Sequence, residues 1–258
     1  LAFFFAENAP FVGDWEVLPI GLDLEFLSER SVVHHLVQRD DVAALLRPRP
    51  RFAHKGTFGH GLIVAGGSGQ YGAAVLATRA ALRSGAGLVT AIIHAAAPEA
   101  MCSADASERS VTRLPGLMGY SSVGIGPGIG VGSETSLVIK RLIQDTSGPL
   151  VIDADALNIL AENPTWLAFL PPDTILTPHP KEFDRLAGTP SRSGYERLDR
   201  ARQFAAKNRC IVVLKGAWTA VCSAAGKVYF NPTGNPGMAK GGSGDMLTGL
   251  LTGLLAQG

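Results

Sequence analysis

Asn235-Pro-Gly-Met-Ala-Lys-Gly-Gly-Ser-Gly-Asp-Met-Leu-Thr-Gly-Leu-Leu-Thr-Gly-Leu-Leu-Ala256 joins two kinds of sequence end to end. Its first half suits neither helix nor strand. Gly241, Gly242 and Gly244 permit positive φ and carry no side chain that would keep a ligand away from the backbone. Its second half is apolar and long enough for about three turns of buried helix. Ser243 and Asp245 are both good N-cap residues, so the helix is expected to start near them. A glycine turn feeding a helix N-terminus offers free N–H groups and the positive end of the helix dipole, which together make an anion site. On these grounds Gly242, Ser243 and Gly244 are assigned to the phosphate of a ligand.

Asp245 needs its own explanation, because a carboxylate repels phosphate. As a cap it would add about 1 kcal/mol to helix stability. As a general base beside a phosphate-binding turn it would take the proton from an attacking hydroxyl. Three glycines just before it favour the base. Gly-Gly-Ser-Gly-Asp opening a buried helix resembles the anion hole and catalytic aspartate of the ribokinase-like superfamily. The longer string from Asn235 to Leu247 is more specific. It resembles the ADP/ATP-dependent NAD(P)H-hydrate dehydratases, although that family usually has Thr where this chain has Lys240.

Upstream, Cys210–Leu214 reads as a strand running into Lys215-Gly-Ala-Trp-Thr. This resembles the family's Lys-Gly-Ala-x-Thr nucleotide loop, which assigns Lys215, Gly216, Ala217, Trp218 and Thr219 to ADP or ATP. Thr219–Cys222 and Lys227–Phe230 are expected to form a hairpin. Tyr195–Asn208 reads as an amphipathic helix with a solvated basic face. Asp173–Leu176 is a strand leading to Thr177-Pro-His-Pro-Lys-Glu. His179 is held there between two prolines, and Pro180 suits the first turn of a helix ending near Gly188. The match to the family's Thr-Pro-His-Pro-x-Glu segment implies that His179 contacts the hydrated dinucleotide and that Glu182 lines the site.

Leu150–Ile152 is a strand that ends in Asp153-Ala-Asp-Ala-Leu-Asn. The two acids could orient a Mg²⁺-bound nucleotide, or Asp155 could cap a helix over Ala156–Ala161. The glycine ladder from Gly124 to Gly130 is a strand ending in a bare turn, since Pro127 breaks the dinucleotide fingerprint. It resembles the family's Gly-Pro-Gly-x-Gly turn, and there Gly128 and Gly130 would approach the substrate. A helix over Glu134–Gln144 follows. Pro98–Cys102 reads as a helix start and Arg109–Leu117 as extended chain, with Glu99, Asp105 and Glu108 solvated. A strand at Gly61–Gly67, a helix from Gly72 to Ser84 and a strand at Leu88–His94 form a βαβ unit. His54, Lys55 and His60 precede it as structural loop residues or ligand-facing ones. His-Lys-Gly-x-Phe-Gly-His followed by strand and Gly-Ala-Ala resembles the family's N-terminal block, which places Ala73 against the substrate.

The chain has 258 residues and 46% hydrophobic content, enough for one large core. Its 23 basic and 22 acidic residues leave a net charge of +1, no footprint for nucleic acid or an anionic membrane. No apolar run approaches the roughly 20 residues of a membrane span. Cys102, Cys210 and Cys222 are too scattered for a metal site and read as reduced thiols, so a cytoplasmic setting is expected. Residues 1–46 read either as an N-terminal arm with a short helix at Asp40–Leu46, or as the final strands of an epimerase domain of the kind fused ahead of such dehydratases. The boundary is expected near Arg47–Arg51, with residues 47–258 forming the dehydratase domain, shorter at its C-terminus than family members.

Alternating strands and helices support an α/β layered sandwich. The resemblance implies a three-layer ribokinase-like fold, with a mostly parallel sheet flanked by helices, that forms homo-oligomers. It also implies ADP- or ATP-dependent dehydration of hydrated NADH or NADPH with Mg²⁺. Two rivals are a vitamin-type small-molecule kinase of the same superfamily and a nucleotide-binding domain without turnover.

Overall fold

The computed structural model describes residues 1–92, 97–105, 107 and 110–258. Among these, ten strands form one sheet: β1 (His34–Leu36), β2 (His60–Val64), β3 (Leu88–Ile92), β4 (Met101–Ser103), β5 (Ser122–Ile125), β6 (Leu150–Ile152), β7 (Ile175–Leu176), β8 (Ile211–Leu214), β9 (Thr219–Cys222) and β10 (Val228–Asn231). Their spatial order is β1-β10-β9-β8-β7-β6-β5-β2-β3-β4. Only the β8–β9–β10 meander is antiparallel, and every other pairing is parallel. A parallel sheet needs both faces covered, and the central strands are accordingly apolar without interruption.

Successive residues of each strand feed different layers. Leu62 and Val64 of β2, Leu150 and Ile152 of β6, Leu176 of β7 and Val212 of β8 pack in the larger core. That core is closed by α4 (Ser133–Asp145), α5 (Ala154–Glu162), α6 (Pro180–Leu186) and α7 (Gly194–Asn208). Ile63, Val151, Ile175 and Val213 face the other way, against α3 (Tyr71–Arg83) and α8 (Ser243–Leu255). The result is the expected three-layer sandwich. Two short helices, α1 (Leu24–Ser28) and α2 (Arg39–Leu45), flank β1 in the chain.

The α3–α8 pair has almost no side-chain cushion. A Cβ at Gly249 would overlap the carbonyl of Ala77, and one at Gly253 would overlap Ser84 Oγ and lie 2.5 Å from the carbonyl oxygen of Ala81. Ala77, Ala81, Gly249 and Gly253 are therefore small because the two backbones run side by side.

Several expectations are corrected. Met101 and Cys102, assigned to a helix start, belong instead to the edge strand β4 beside β3. Edge pairing outweighs the local preference there. Residues 110–117 hold no regular element. Asp105 is not solvated: its carboxylate accepts from the N–H groups of Ser107 (3.0 Å), Thr112 (2.7 Å) and Arg113 (3.1 Å), and these bonds hold its pKa below the ordinary value against the opposing effect of burial. The basic face of α7 is also engaged, with Arg197 bidentate on Asp184 of α6 at 3.1 and 2.9 Å. The expected strand end at residues 93 and 94, together with Glu108 and Arg109, lies outside the described residues.

Candidate active site

The carboxyl ends of the central strands collect the charged residues, as open α/β sheets do. Gly242 itself, left-handed at φ 92°, is the N-cap of α8. The helix starts where expected, near Ser243 and Asp245, but neither of these residues is its N-cap. A left-handed cap needs glycine. It frees the Ser243 hydroxyl, which donates to the Met238 carbonyl at 2.7 Å and ties the preceding loop to the helix. Asn235 stiffens that loop by accepting from Gly237 N–H at 2.8 Å. Gly241 has open space where a Cβ would stand.

Asp245 sits in the first turn of α8, partly buried, and its carboxylate meets no hydrogen-bond donor among the described residues. Burial is the main cause that raises its pKa above the ordinary carboxylate value. The Asp153 charge adds to the rise and Lys215 opposes it. A carboxyl left unpaired and raised in basicity has the character of a general base.

Lys215 leaves the end of β8 and donates to Asp153 Oδ1 at 2.9 Å. Its ammonium also lies 3.7 Å from Glu182 Oε2. Glu182 is buried and accepts from the His179 N–H at 2.8 Å, while His179 Nδ1 accepts from the N–H groups of Lys181 and Glu182 at 3.2 Å each. This reciprocal cap starts α6. With Nδ1 accepting, the neutral ring carries its proton on Nε2, 3.4 Å from Glu182 Oε1. His179 is half exposed, so its outer edge stays open to a ligand.

Gly128, at φ 66°, packs beside Ala73: a Cβ there would sit 3.4 Å from the Ala73 Cβ and 2.8 Å from Gln70 Oε1. Gly66 N–H donates to the Pro127 carbonyl at 2.7 Å, joining the turn before α3 to the turn after β5. Gly130 donates to Asp155 Oδ2 at 2.9 Å and has open space above it. Asp155 thus holds the glycine turn and does not cap α5, whose N-cap is Asp153. Asp153 in turn is spent on Lys215 and Thr248.

The structure therefore brings Gly242, Ser243, Gly244 and Asp245 to Lys215, Glu182 and His179 through one run of contacts, and it sets Ala73 beside Gly128. It does not leave Trp218 free. Phe4 stacks on the Trp218 ring at 4.4 Å, and Trp15 lies 6.0 Å away. Gly216 and Ala217 line a cavity of about 220 Å³ with Trp218 and Phe3, Phe4 and Phe5 of the N-terminal arm. Thr219 folds back on its own loop, donating to the Gly216 carbonyl at 3.0 Å.

Sequence reasoning missed Asp153 and Thr248 as partners, because their meeting spans 95 residues of chain. Both histidines of the block from His54 to His60 have structural partners. His54 caps a short 3-10 turn, and His60 pairs with Thr90 Oγ1 at 2.8 Å under the Tyr120 ring. Burial lowers the His60 pKa. A Cβ at Gly59 would overlap the carbonyl of Ala256, at the far end of α8 and about 16 Å from Asp245 by helix rise.

Fold and helix-capping turn together define a ribokinase-like α/β protein. In keeping with that, a ribokinase-like superfamily protein from Enterococcus faecalis superposes with a TM-score of 0.74 at 27% identity, covering 88% of this chain and 82% of the other. A model of the NAD(P)H-hydrate dehydratase family matches residues 61–258, and the chain belongs to that family. The bifunctional NAD(P)H-hydrate repair enzyme of Moorella thermoacetica is 37% identical over 97% of this chain and 51% of the relative. That of Coxiella burnetii is 36% identical over 98% of this chain and 52% of the relative. The chain thus spans about half the length of the curated relatives it matches. The ADP/ATP-dependent NAD(P)H-hydrate dehydratase of Bacillus subtilis, co-crystallised with ATP and Mg²⁺, superposes with a TM-score of 0.69 at 29% identity over 86% of this chain and 85% of the other. Among the described residues no helix is long and apolar enough to cross a membrane.

Proposed function

We propose that this chain converts hydrated NADH or NADPH back to the reduced cofactor, using ADP or ATP. The observation that carries the reading is Asp245, an unpaired carboxylate of raised basicity one residue beyond the glycine turn that opens α8. Asp245 takes the proton from the hydroxyl of the hydrated nicotinamide ring. The oxygen so activated attacks the terminal phosphorus, and the bond to the leaving AMP or ADP oxygen breaks. The N–H groups of the turn around Gly242–Asp245 stabilise the charge on the transferred phosphoryl. Phosphate then leaves the ring carbon, the neighbouring carbon loses a proton and the ring double bond returns.

His179, Ala73, Gly128 and Gly130 form the substrate side of this site in the reading, supported by the open edge of His179 and the bare turn at Gly130. Lys215–Thr219 form the nucleotide side. Among the described residues no group of three or more His, Cys, Asp or Glu is arranged to hold a metal. In this reading Mg²⁺ would come in on the nucleotide phosphates and screen their charge. Cys210 and Cys222 are buried with thiols pushed up to about 12, and such inert thiols suit the reducing cytoplasm in which we place the chain. Assembly as a homo-oligomer is part of the same proposal.

The test is direct. The purified chain is mixed with the hydrate of NADH, Mg²⁺ and either ADP or ATP, and absorbance is followed at the reduced-nicotinamide band. A nucleotide-dependent rise is expected, and the faster nucleotide is the phosphate donor. A stable phosphorylated product without that rise would replace the dehydratase by a kinase.

A further inference from the structure

Asp153 has no part in the chemistry just described, yet the fold makes unusual provision for it. Its side chain is almost fully buried, at 1% exposure, at the carboxyl end of β6. Its two oxygens serve two different elements. Oδ1 accepts from the Lys215 ammonium at 2.9 Å, and Oδ2 accepts from the Thr248 hydroxyl of α8 at 2.9 Å. Gly244 lies directly on this pair: a Cβ there would stand 3.6 Å from Asp153 Oδ2 and 3.7 Å from Lys215 Nζ.

The backbone around it is fixed as well. Ala154, the next residue, is left-handed at φ 47°, a conformation that L-residues with a side chain adopt only when the surroundings enforce it. A Cβ on Gly126 would overlap the Asp153 carbonyl.

A buried carboxylate beside an anion turn repels phosphate, so charge alone works against nucleotide binding. Its presence is explained if it organises a cation. Lysine is a point charge on a flexible four-carbon stem, and holding it in place before the ligand arrives removes an ordering cost from binding. Glu182, at 3.7 Å, is a further anion within reach of the ammonium and would draw it toward α6.

We propose that Asp153 is a positioning residue: it fixes the Lys215 ammonium under the Gly244 turn and, through Thr248, sets that turn and the end of β8 in one register. The inference rests on reading Lys215 and the α8 turn as the nucleotide site. Positioning and charge differ in sign. If Asp153 acted only as a negative charge, neutralising it would strengthen anion binding. If it positions Lys215, neutralising it weakens binding.

The experiment is calorimetric titration of the β,γ-imido analogue of ATP with Mg²⁺ into the native chain and into Asp153→Asn, Asp153→Glu and Thr248→Val, alongside the dehydration assay. Asp153→Asn is expected to weaken binding at least tenfold, and to raise the nucleotide KM by a similar factor while the KM for the hydrated dinucleotide stays within about twofold. Thr248→Val, which keeps the ion pair, is expected to weaken binding about threefold or less. If Asp153→Asn fails to fold, Asp153→Glu decides: it keeps the buried charge but displaces it by one methylene, so it too must bind more weakly than the native chain. Unchanged or tighter binding in folded Asp153→Asn, or native binding in Asp153→Glu, overturns the proposal. Native nucleotide binding that depends on Asp153 without any dehydration would count against the proposed reaction alone. A native chain that binds no adenine nucleotide overturns both.

Discussion

The two ends of the sheet are both rich in glycine, yet not every glycine in them serves the same purpose. At the amino ends, Gly59 and Gly87 have no room for a Cβ, which would overlap the carbonyls of Ala256 and Lys55. At the carboxyl ends, Gly126 is just as tight against the Asp153 carbonyl, but Gly69, Gly72, Gly130 and Gly241 face open space. The first set is glycine because backbone meets backbone. The second is glycine because of the turn conformation or because something else must approach. Charge follows the same division: Asp153, Glu182, Lys215 and Asp245 cluster at the open end, whereas the histidines of the closed end are consumed by a cap and a threonine hydroxyl. A glycine-rich motif therefore says little until one knows what its missing side chain would touch.

That contrast can be broken experimentally. The largest effect is expected at the open end: Asp245→Asn should lower kcat by about 10² to 10⁴, the usual worth of a general base, while nucleotide still binds by calorimetry. Near-normal turnover would remove Asp245 from its role. At the closed end, Gly59→Ala combines an overlap with positive φ and should cost about 2–4 kcal/mol in denaturant unfolding. The specific activity of the folded fraction should stay native. A drop in activity without a drop in stability would mean that the closed end also belongs to the site.

Gly130→Ala has open space but keeps φ 75°, so it should cost about 1 kcal/mol of stability and raise the KM for the hydrated dinucleotide. The smallest effect concerns pH. Because the folded-state pKa of Asp245 is raised, the native chain holds a proton there that the unfolded chain has already lost, so stability falls as pH rises through the window above 3.8. Asp245→Asn removes that cost. Its melting temperature should exceed the native one at neutral pH, and the gap should close as pH falls below the ordinary carboxylate range. The native kcat/KM should decline at acid pH with a midpoint above 3.8, as the base becomes protonated.

Much of the frame was legible in the sequence because its signals are local. The apolar period of α3, α4 and α7 and the β-branched run of β6 locate them within a residue or two. The capping box of His179 and Glu182 spans only four residues, yet in the sequence both read as residues of the substrate site and not as a cap. What escaped depends on chain brought from afar. β4 exists because β3 offers it an edge. Asp155 turns to Gly130, 25 residues away, and not to its own helix. Trp218 reads as a nucleotide residue from its loop, and nothing local announces that Phe4 stacks on it. The Gly249-x-x-x-Gly253 spacing was a signal available in the sequence, but its meaning requires knowing that α3 is the neighbour.

The contact between those two helices works as a gauge. Ala77 faces Gly249 and Ala81 faces Gly253, so the helices run in the same direction in steps of four. Continued one step toward their starts, the same spacing of four runs from Ala77 and Gly249 to Ala73 and Asp245. The gap between the proposed substrate-side alanine and the proposed base is thus ruled off by bare backbone about one and two turns away, with no side chain free to flex and absorb an error. Whoever wished to widen the cleft for a bulkier ring would do better to begin at 249 or 253 than at the residues that touch the ligand.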